Sequence, residues 1–570
     1  MKKIHLLLVA VVIIAIFLRF FQLGINPPSL TWDEVAWGYN AYSLGINGKD
    51  EFGTFLPYKY LESFGDFKPP MYAYLDILPV KFLGLNEFAV RFPSALLGVL
   101  TVLMTFFLAK RLFRENYKSL VLNSKSNAIA LLSALFLAIS PWHIMLSRGA
   151  FEANVATFFI VFGVWAFLAG VQDRKWCLLF SAASFAFSFY TFNTSRIVSP
   201  LLTLMLIVTF RKQLLKIKKQ SILAFFLGLI IVLPIVGFLL SPQAASRFKE
   251  VNIFSDITIL KIANQEISND NNALWSKVIH NRRFVYAREY LNHYFDNLSP
   301  SFLFIKGDGN PKFSIRDVGQ MYIWDIVFFT GGIFFLIRKR QASAQWWIIP
   351  LWLLIGIIPA ATARETPHAL RIETTLPTFQ ILTAYGFVAF LDWAKAQNLK
   401  LKTYNLFPGR VCYIVTAKLS ILLPFIFYVL LFGNFTYFAH SYFVHYSREF
   451  SGEWQYGYKE SINYVKSVEN KYDYIQISTV LGRPYIYYLF YNKTSPDYFR
   501  KTTVTKRDIF GFVDVLVYGK YLFPQDFNYQ TNNNKKILYI NSSNSVPGGA
   551  KVIKRFFLLN GKEVLVAYTI

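Results

Sequence analysis

Two adjacent carboxylates, Asp33 and Glu34, follow the first long apolar run of the chain, within residues 27–34 (PPSLTWDE). Thr31 followed three residues later by Glu34 is typical of a capping box, which predicts a helix that begins at Trp32. The first turn of that helix would present Asp33 at the edge of an apolar region. We interpret Asp33 as a catalytic base. Glu34 is a second catalytic candidate, assisting Asp33 or binding a metal, although the capping box also gives it a structural role.

Four arginines lie within a turn of the ends of apolar runs: Arg91, Arg148, Arg196 and Arg371. A cation held near hydrocarbon costs up to ~3 kcal/mol on insertion scales and usually has an anionic partner. We therefore predict that all four converge on one level of the membrane and bind a lipid phosphate. The alternative is that each arginine extends to the lipid headgroups or pairs locally, for example Arg148 with Glu152.

Lys68 adds a fifth cation, in the segment Gly65-Asp66-Phe67-Lys68-Pro69-Pro70-Met71. A residue before proline is extended, and Pro70 suits the first position of a helix, so Lys68 is expected at a helix N-terminus. Free N–H groups and the helix dipole favour an anion there. The alternative is a turn lysine exposed to water. His368 is a further candidate for a polar contact to phosphate or sugar.

The composition indicates the class of protein that must position these residues. Of 570 residues 54% are hydrophobic and 18% aromatic, which is typical of an integral membrane protein. The net charge of +26 comes from short segments between apolar runs, not from one aromatic-interleaved patch, so we expect no nucleic-acid partner. The two cysteines imply no disulfide framework and exclude a Cys-based metal cluster.

About eleven runs approach the length of a membrane-spanning helix. They lie near 4–23, 90–109, 127–146, 154–171, 176–192, 197–210, 221–240, 321–337, 346–363, 372–391 and 412–433. The Lys- and Arg-rich segments between them fall on one side, which the positive-inside rule assigns to the cytoplasm. We therefore predict a retained first span, a cytoplasmic N-terminus and a C-terminus outside.

This topology predicts a transmembrane domain over 1–433 with two long outer loops, 24–89 and 241–320. The aromatic residues of the first loop favour interfacial helices. Polar residues become more frequent after about 434, where a helix over 458–470 and strands over 472–480, 513–518 and 535–541 are predicted. Asn560-Gly561 indicates a hairpin between two further strands. Residues 434–570 are therefore expected to form a small extracytoplasmic α/β domain.

Several of these motifs, in this order, resemble the polyprenyl-phosphate-sugar-dependent glycosyltransferases of the GT-C fold, which include protein O-mannosyltransferases and lipid A aminoarabinose transferases. The resemblance covers residues 1 to about 435. It rests on Arg19 through Asp33-Glu34, Asp66-Phe67-Lys68-Pro69-Pro70, residues 87–94 (EFAVRFPS), Arg148, Ser195-Arg196, residues 302–308 (FLFIKGD), residues 319–322 (GQMY) and His368-Ala369-Leu370-Arg371.

The resemblance implies an enzyme of the cell membrane that transfers a sugar from a polyprenyl-monophosphate donor to a hydroxyl of a protein, lipid or glycan acceptor. Asp33 matches the acidic residue that acts on the acceptor, and Lys68 matches the basic residue that contacts lipid phosphate. The aminoarabinose transferases carry an acidic residue where this chain has Phe67, so the resemblance leaves a divalent metal open. A flippase for lipid-linked sugars, or an O-antigen-ligase-like enzyme that uses a diphosphate-linked donor, are the alternatives.

Overall fold

The protein was analysed as a computed structural model that describes residues 2–114, 120–244, 252–338, 344–403, 410–508, 511–524 and 535–570. Its chain forms two compact units. Unit 1 consists of Met1–Arg19, Leu97–Ser147 and Ala153–Ala439, and unit 2 of Phe20–Leu96, Arg148–Glu152 and His440–Ile570.

Most of the described residues are helical. The helices are α1 (Lys2–Phe20), α2 (Trp32–Asn47), α3 (Met71–Leu83), α4 (Glu87–Leu112), α5 (Leu120–Ile139), α6 (Pro141–Arg148), α7 (Glu152–Gln172), α8 (Cys177–Phe189), α9 (Ser195–Thr209), α10 (Arg211–Lys216), α11 (Lys218–Leu239), α12 (Ile257–Asn269), α13 (Leu274–Ile279), α14 (Arg282–Asp296), α15 (Asp325–Arg338), α16 (Ile348–Ile357), α17 (Thr378–Thr403), α18 (Arg410–His440), α19 (Tyr446–Glu449), α20 (Tyr458–Val468), α21 (Pro484–Tyr491) and α22 (Pro496–Thr502).

Within the described ranges, six helices are long and apolar enough to cross a membrane, or seven if one bent pair forms a single span. The six are Lys3–Phe20, Glu87–Leu112, Glu152–Gln172, Lys218–Leu239, Gln345–Thr362 and Glu373–Ala394. The bent pair, Lys125–Ile139 and Pro141–Arg148, turns by 56° just before Pro141, a residue that cannot donate to the preceding helical turn.

The predicted count of about eleven spans is therefore not reproduced. Three of the expected spans, near 176–192, 197–210 and 321–337, are helices of 13, 15 and 14 residues. A straight helix needs about 20 residues to cross the hydrocarbon core. The expected span near 412–433 lies within α18, whose side chains before residue 425 lie outside the described part of the chain.

Glycines allow two helices of unit 1 to approach closely. A Cβ atom at Gly332 of α15 would meet the Leu382 carbonyl oxygen at 2.2 Å, and one at Gly386 of α17 would meet the Phe328 carbonyl oxygen at 1.9 Å. Small residues at such crossings let backbones touch, which is how helices associate where lipid offers no hydrophobic driving force.

Unit 2 contains two sheets. The smaller is a hairpin of β1 (Leu61–Ser63) and β2 (Asp66–Lys68). The larger has seven strands in the order β4-β5-β6-β3-β7-β9-β8. These strands are β3 (Tyr474–Ile477), β4 (Val504–Arg507), β5 (Val513–Tyr518), β6 (Tyr521–Leu522), β7 (Ile537–Asn541), β8 (Lys551–Phe557) and β9 (Glu563–Thr569).

The local elements expected after residue 434 are present. Strand β3 pairs in parallel with β6 and β7, and the other neighbours are antiparallel. The predicted helix over 458–470 is α20, and the predicted Asn560-Gly561 hairpin joins β8 to β9. Strand β7 is buried at all five residues and β3 at three of four, so these strands are legible in the sequence as short apolar runs, which is typical of strands covered on both faces.

Candidate active site

Helix α2 begins at Trp32, as the capping box predicts. The Thr31 hydroxyl oxygen accepts a hydrogen bond from the Glu34 amide at 3.3 Å, and Glu34 Oε2 accepts one from the Thr31 amide at 2.9 Å. These two bonds satisfy amide groups that a helix start otherwise leaves unpaired. Asp33 is thereby fixed in the first turn, with 53% of its side chain exposed.

Lys68 forms an ion pair with Asp33. Its Nζ donates a hydrogen bond to Asp33 Oδ1, and it lies 5.3 Å from the ring centre of Trp37 and 5.1 Å from that of Phe64. Because only 10% of the Lys68 side chain is exposed, the alternative of a water-exposed turn lysine is wrong. Aromatic faces and a carboxylate together hold the ammonium, which would otherwise be costly to bury.

The backbone around Lys68 differs slightly from the expectation. Lys68 is extended, as a residue before proline should be, and it ends strand β2. Pro70 is the residue that precedes helix α3, not its first residue, so the helix starts at Met71. Lys68 therefore lies two residues before the helix cap.

Glu34 is fully buried and both of its carboxylate oxygens have partners. Besides its capping bond, it accepts from Arg91 Nε at 2.9 Å and from the Ala150 amide at 2.9 Å. These contacts fit the structural alternative for Glu34. They do not fit direct contact with a substrate, because the side chain is only 1% exposed.

The expected role of Arg91 in phosphate binding needs correction. Its guanidinium is fully buried, with two contacts to Glu34 at 2.9 and 3.4 Å. The guanidinium also donates three hydrogen bonds to the carbonyl oxygens of Leu23, Pro27 and Ser29, at 3.1, 2.8 and 2.5 Å. A guanidinium has five N–H donors, and these five contacts use them all. Arg91 thus fastens the loop before α2 and has no donor left for a phosphate.

Arg148 needs the same correction. It is fully buried, donates from Nη2 to the Asn26 carbonyl oxygen at 2.7 Å and from Nε to the Tyr442 hydroxyl at 3.2 Å. Its guanidinium carbon lies 5.4 Å from the ring centre of Tyr442 and 5.0 Å from that of Phe443. These contacts make Arg148 part of the packing of unit 2.

Glu152 is a site residue that the sequence analysis missed, since it was considered only as a local partner of Arg148. It begins helix α7, is partly buried, and interacts electrostatically with Asp33, Lys68 and Asp66. The only signal in the sequence was a carboxylate at the start of an apolar run, the same pattern that drew attention to Asp33.

Two other expected cations, Arg196 and Arg371, lie in unit 1. Arg196 donates to the Phe189 carbonyl oxygen at 3.2 Å and to Asn193 Oδ1 at 2.6 Å. Its Nη2 is buried without a hydrogen-bond partner among the described residues. Arg371 donates to the Glu365 carbonyl oxygen at 2.9 Å, and 22% of its side chain is exposed.

His368 lies on the same loop as Arg371. Its amide donates to Asn297 Oδ1 at 3.0 Å, while Nδ1 has no hydrogen-bond partner within the part of the chain that the structure describes. Burial, and then the charge of Arg371, lower the pKa of His368 to about 3, so the ring is neutral at physiological pH. Asp308 fixes the loop by accepting from the Ala369 amide at 2.6 Å.

The four arginines that were expected to converge therefore belong to two different units. Unit 2 contains Asp33, Glu34, Lys68, Arg91 and Arg148, and unit 1 contains Arg196, His368 and Arg371. In unit 1 the loop that carries His368 and Arg371 adjoins the one before Arg196, because Leu370 packs against Phe192 and its neighbours.

The structure shows no evident set of ligands for a divalent metal. In the part of the chain that it describes, no group of three or more His, Cys, Asp or Glu side chains is arranged to hold an ion. At position 67 the ring of Phe67 packs against Tyr60, with centroids 4.9 Å apart. The described residues therefore do not fit a bound divalent metal, and no step of the reaction proposed for Asp33 uses one.

Part of the chain matches the model of a known family. Residues 67–238, less than a third of the chain, match the family model described as dolichyl-phosphate-mannose-protein mannosyltransferase. An uncharacterised protein of Aquifex aeolicus (strain VF5) is 32% identical over 177 residues, which are 31% of this chain and 31% of that protein. That match therefore spans about a third of the relative's length.

The solved structures give a match over the whole chain. Apo ArnT from Cupriavidus metallidurans aligns with a TM-score of 0.51 at 12% identity, covering 99% of this chain and 98% of that one. ArnT bound to undecaprenyl phosphate aligns with a TM-score of 0.53 at 13% identity, covering 98% and 97%. The chain has the GT-C glycosyltransferase fold. The resemblance inferred from the motifs is therefore confirmed, in the fold of the chain and in the family match over residues 67–238.

Proposed function

We propose that this protein transfers a sugar from a polyprenyl-monophosphate donor to a hydroxyl acceptor on the outer face of the cell membrane, with inversion at C1. Asp33 is the base in this proposal. The observation that carries it is the ion pair between a half-exposed Asp33 and a nearly buried Lys68, in a chain with the GT-C fold.

The proposed reaction is one displacement. Asp33 takes the proton of the acceptor hydroxyl, the acceptor oxygen bonds to C1, and the bond from C1 to the phosphate oxygen breaks. The electron pair of that bond leaves with the polyprenyl phosphate, whose negative charge grows and must be stabilised.

Lys68 suits this charge movement. When Asp33 is protonated its attraction for the Lys68 ammonium weakens, at the same stage as negative charge develops on the departing phosphate. A cation that is already positioned needs little reorganisation to follow that charge. We therefore assign Lys68 to the leaving phosphate.

Within unit 1, we propose that Arg196, Arg371 and neutral His368 bind a lipid phosphate. The open Nη2 of Arg196 and the open Nδ1 of His368 support this choice, since buried polar atoms without partners are uncommon. Arg91, Arg148 and Glu34 are assigned to the structure of unit 2, where their contacts hold the loops around Asp33 and Glu152.

The orientation of the chain is also part of the proposal. The multi-pass character follows from the apolar helices and from the GT-C fold. The distribution of Lys and Arg supports a cytoplasmic N-terminus and an outer location for Asp33 and residues 434–570.

Transfer assays with radiolabelled polyprenyl-phosphate sugars test the proposal. Asp33→Asn is expected to reduce transfer at least ~10³-fold in protein that still folds, with a lower melting temperature because the nearly buried Lys68 loses its counter-charge. Asp497→Asn is the matched control, because Asp497 is an exposed carboxylate that also pairs with a cation, Arg500, at 2.7 Å. Undiminished transfer by Asp33→Asn would refute the mechanism.

The same preparation separates the alternatives. A flippase would move lipid-linked sugar across proteoliposomes without releasing polyprenyl phosphate. An enzyme that uses a diphosphate-linked donor would release product only from that donor. Release of polyprenyl monophosphate from a monophosphate donor is the expected outcome.

A further inference from the structure

The hairpin that carries Lys68 has an unusual turn. Strands β1 and β2 are joined by Phe64 and Gly65, with φ angles of 62° and 79°. Two residues at positive φ are typical of the type I′ turn of short hairpins, where Asn-Gly is the common pair. A bulky residue such as Phe64 rarely adopts this conformation, so the surroundings must hold it there.

The surroundings come from two described stretches of the same unit, 483–508 and 511–513. The Phe64 carbonyl oxygen accepts a hydrogen bond from the Val513 amide at 2.9 Å. A Cβ atom at Gly65 would meet the Gly511 carbonyl oxygen at 2.4 Å, which shows how closely the two backbones approach. On the adjoining strand, Glu62 pairs with Arg507 at 2.5 Å.

Arg483 completes this contact through the Phe64 side chain. Its guanidinium carbon lies 4.9 Å from the ring centre of Phe64, and the same ring lies 5.1 Å from Lys68 Nζ. Phe64 is 3% exposed, and Tyr485 packs against it with ring centres 5.9 Å apart. Arg483 itself adopts φ 50° just before helix α21, so its position is fixed at the backbone.

The register of the hairpin links the turn to the catalytic lysine. Lys68 is paired with Leu61 at the open end of a ladder that has only three residue pairs. Such a short hairpin has little independent stability, so the contacts at its turn determine where its other end lies.

We infer that Arg483, together with Arg507 and the backbone of Gly511 and Val513, positions Lys68 by clamping the Phe64–Gly65 turn. Arg483 is a positioning residue, because it acts through Phe64 and the hairpin. The segment that carries it is thereby part of the machinery that sets the Asp33–Lys68 pair. The functional part of this inference rests on the proposed glycosyl transfer, whereas the placement of Lys68 does not.

The direct test measures Lys68 itself. Trace acetylation of the full-length protein in detergent, followed by mass spectrometry, reports how accessible the Lys68 amine is. Arg483→Met should raise the Lys68 labelling rate roughly threefold or more, as local opening exposes the amine, while Arg483→Lys should keep it near the wild-type rate. Arg555→Met is the matched control, since Arg555 is an exposed arginine of the seven-stranded sheet in the same unit and pairs with Glu563 at 2.8 Å.

A second readout uses undecaprenyl phosphate as the probe, with binding followed by the intrinsic fluorescence that Trp37 contributes beside Lys68. Arg483→Met should raise its Kd about tenfold, and Arg483→Lys should restore most of the affinity. If wild-type protein neither binds this lipid nor transfers sugar, the proposed function fails, and the labelling experiment still decides the placement of Lys68.

Arg507→Met keeps the inference testable if Arg483→Met does not fold, because Arg507 is more than half exposed and its loss should be tolerated. It should raise Lys68 labelling about twofold through release of Glu62. Wild-type labelling of Lys68 in folded Arg483→Met, or in Arg507→Met where the first variant does not fold, would overturn the inference.

Discussion

Lys68 donates a hydrogen bond to Asp33, yet 53% of the Asp33 side chain is exposed and only 10% of the Lys68 side chain is. A carboxylate open to solvent can meet an acceptor hydroxyl, whereas the lysine beneath it is held by protein. The pair therefore presents its basic oxygen outward and keeps its positive charge fixed behind it.

The first prediction concerns this pair as a unit. Lys68→Met should lower transfer roughly 10²- to 10³-fold, because the leaving phosphate loses preorganised positive charge. The double variant with Asp33→Asn should be close to the slower single variant, since residues that act together are not additive. Single-turnover transfer measures all three variants. Additive losses would show that the two residues act independently.

The second prediction concerns the buried pair of Glu34 and Arg91. Glu34→Gln should destabilise the protein by about 3–5 kcal/mol, because it leaves the fully buried Arg91 guanidinium without its counter-charge. Thermal unfolding in detergent measures the loss. The control, Glu563→Gln, breaks a partly exposed ion pair with Arg555 at 2.8 Å and should cost no more than ~1 kcal/mol. Normal stability with weaker donor binding would instead restore Arg91 to the phosphate site.

The third prediction separates Arg371 from the buried arginines. Arg371→Met should weaken undecaprenyl phosphate binding about tenfold with little change in melting temperature, because its pairing with Glu365 is long, at 3.9 Å. Arg364→Met is the matched control, an exposed arginine of the same loop. Equal effects of both variants would mean that the loop attracts the lipid only through its general charge.

The fourth prediction follows from the low pKa of His368, about 3. Lowering the pH from 8 to about 5 leaves this ring neutral, so His368 itself should not strengthen phosphate binding over that range. The pH dependence of the undecaprenyl phosphate Kd should therefore be the same in wild type and in His368→Gln. A rise in wild-type affinity near pH 6 that disappears in the variant would contradict a neutral His368.

The fifth prediction concerns Glu51, a buried carboxyl group near Lys68. It accepts hydrogen bonds from Ser63 at 2.9 Å and from Asn40 at 3.4 Å, and burial raises its pKa from 4.5 to about 8. Between these two pH values the folded state holds a proton that the unfolded state releases, so stability falls as the pH rises.

Glu51→Gln removes this proton and keeps the hydrogen bonds. Relative to the variant, wild type should lose up to ~1.4 kcal/mol of stability per pH unit between pH 5 and pH 8. Melting temperatures of both proteins across this range measure the difference. A constant gap would show that Glu51 is already ionised at pH 5. Asp497→Asn is the control: Arg500 lowers the pKa of the exposed Asp497, so this carboxylate stays ionised from pH 5 to pH 8 and its loss should show little pH-dependent difference.

The sequence by itself determined the features that depend on neighbours along the chain. The capping box fixed the start of α2 and the place of Asp33, because both partners lie within four residues. The proline after Lys68 fixed its extended backbone for the same reason. The short apolar strands and the Asn560-Gly561 hairpin were equally local. The membrane class followed from composition, and in the described chain six helices, or seven with the bent pair, are long and apolar enough to cross a membrane.

Tertiary structure alone decided what each arginine touches. Arg91 and Arg148 look like Arg196 and Arg371 in the sequence, since all four stand at the ends of apolar runs. Their partners, however, come from distant segments: Glu34 lies 57 residues from Arg91, and Tyr442 lies 294 residues from Arg148. A guanidinium binds whichever oxygens packing brings within hydrogen-bonding distance of it, and packing depends on the whole fold. Local sequence therefore indicates where a cation lies, but not whether it has donors left for a ligand.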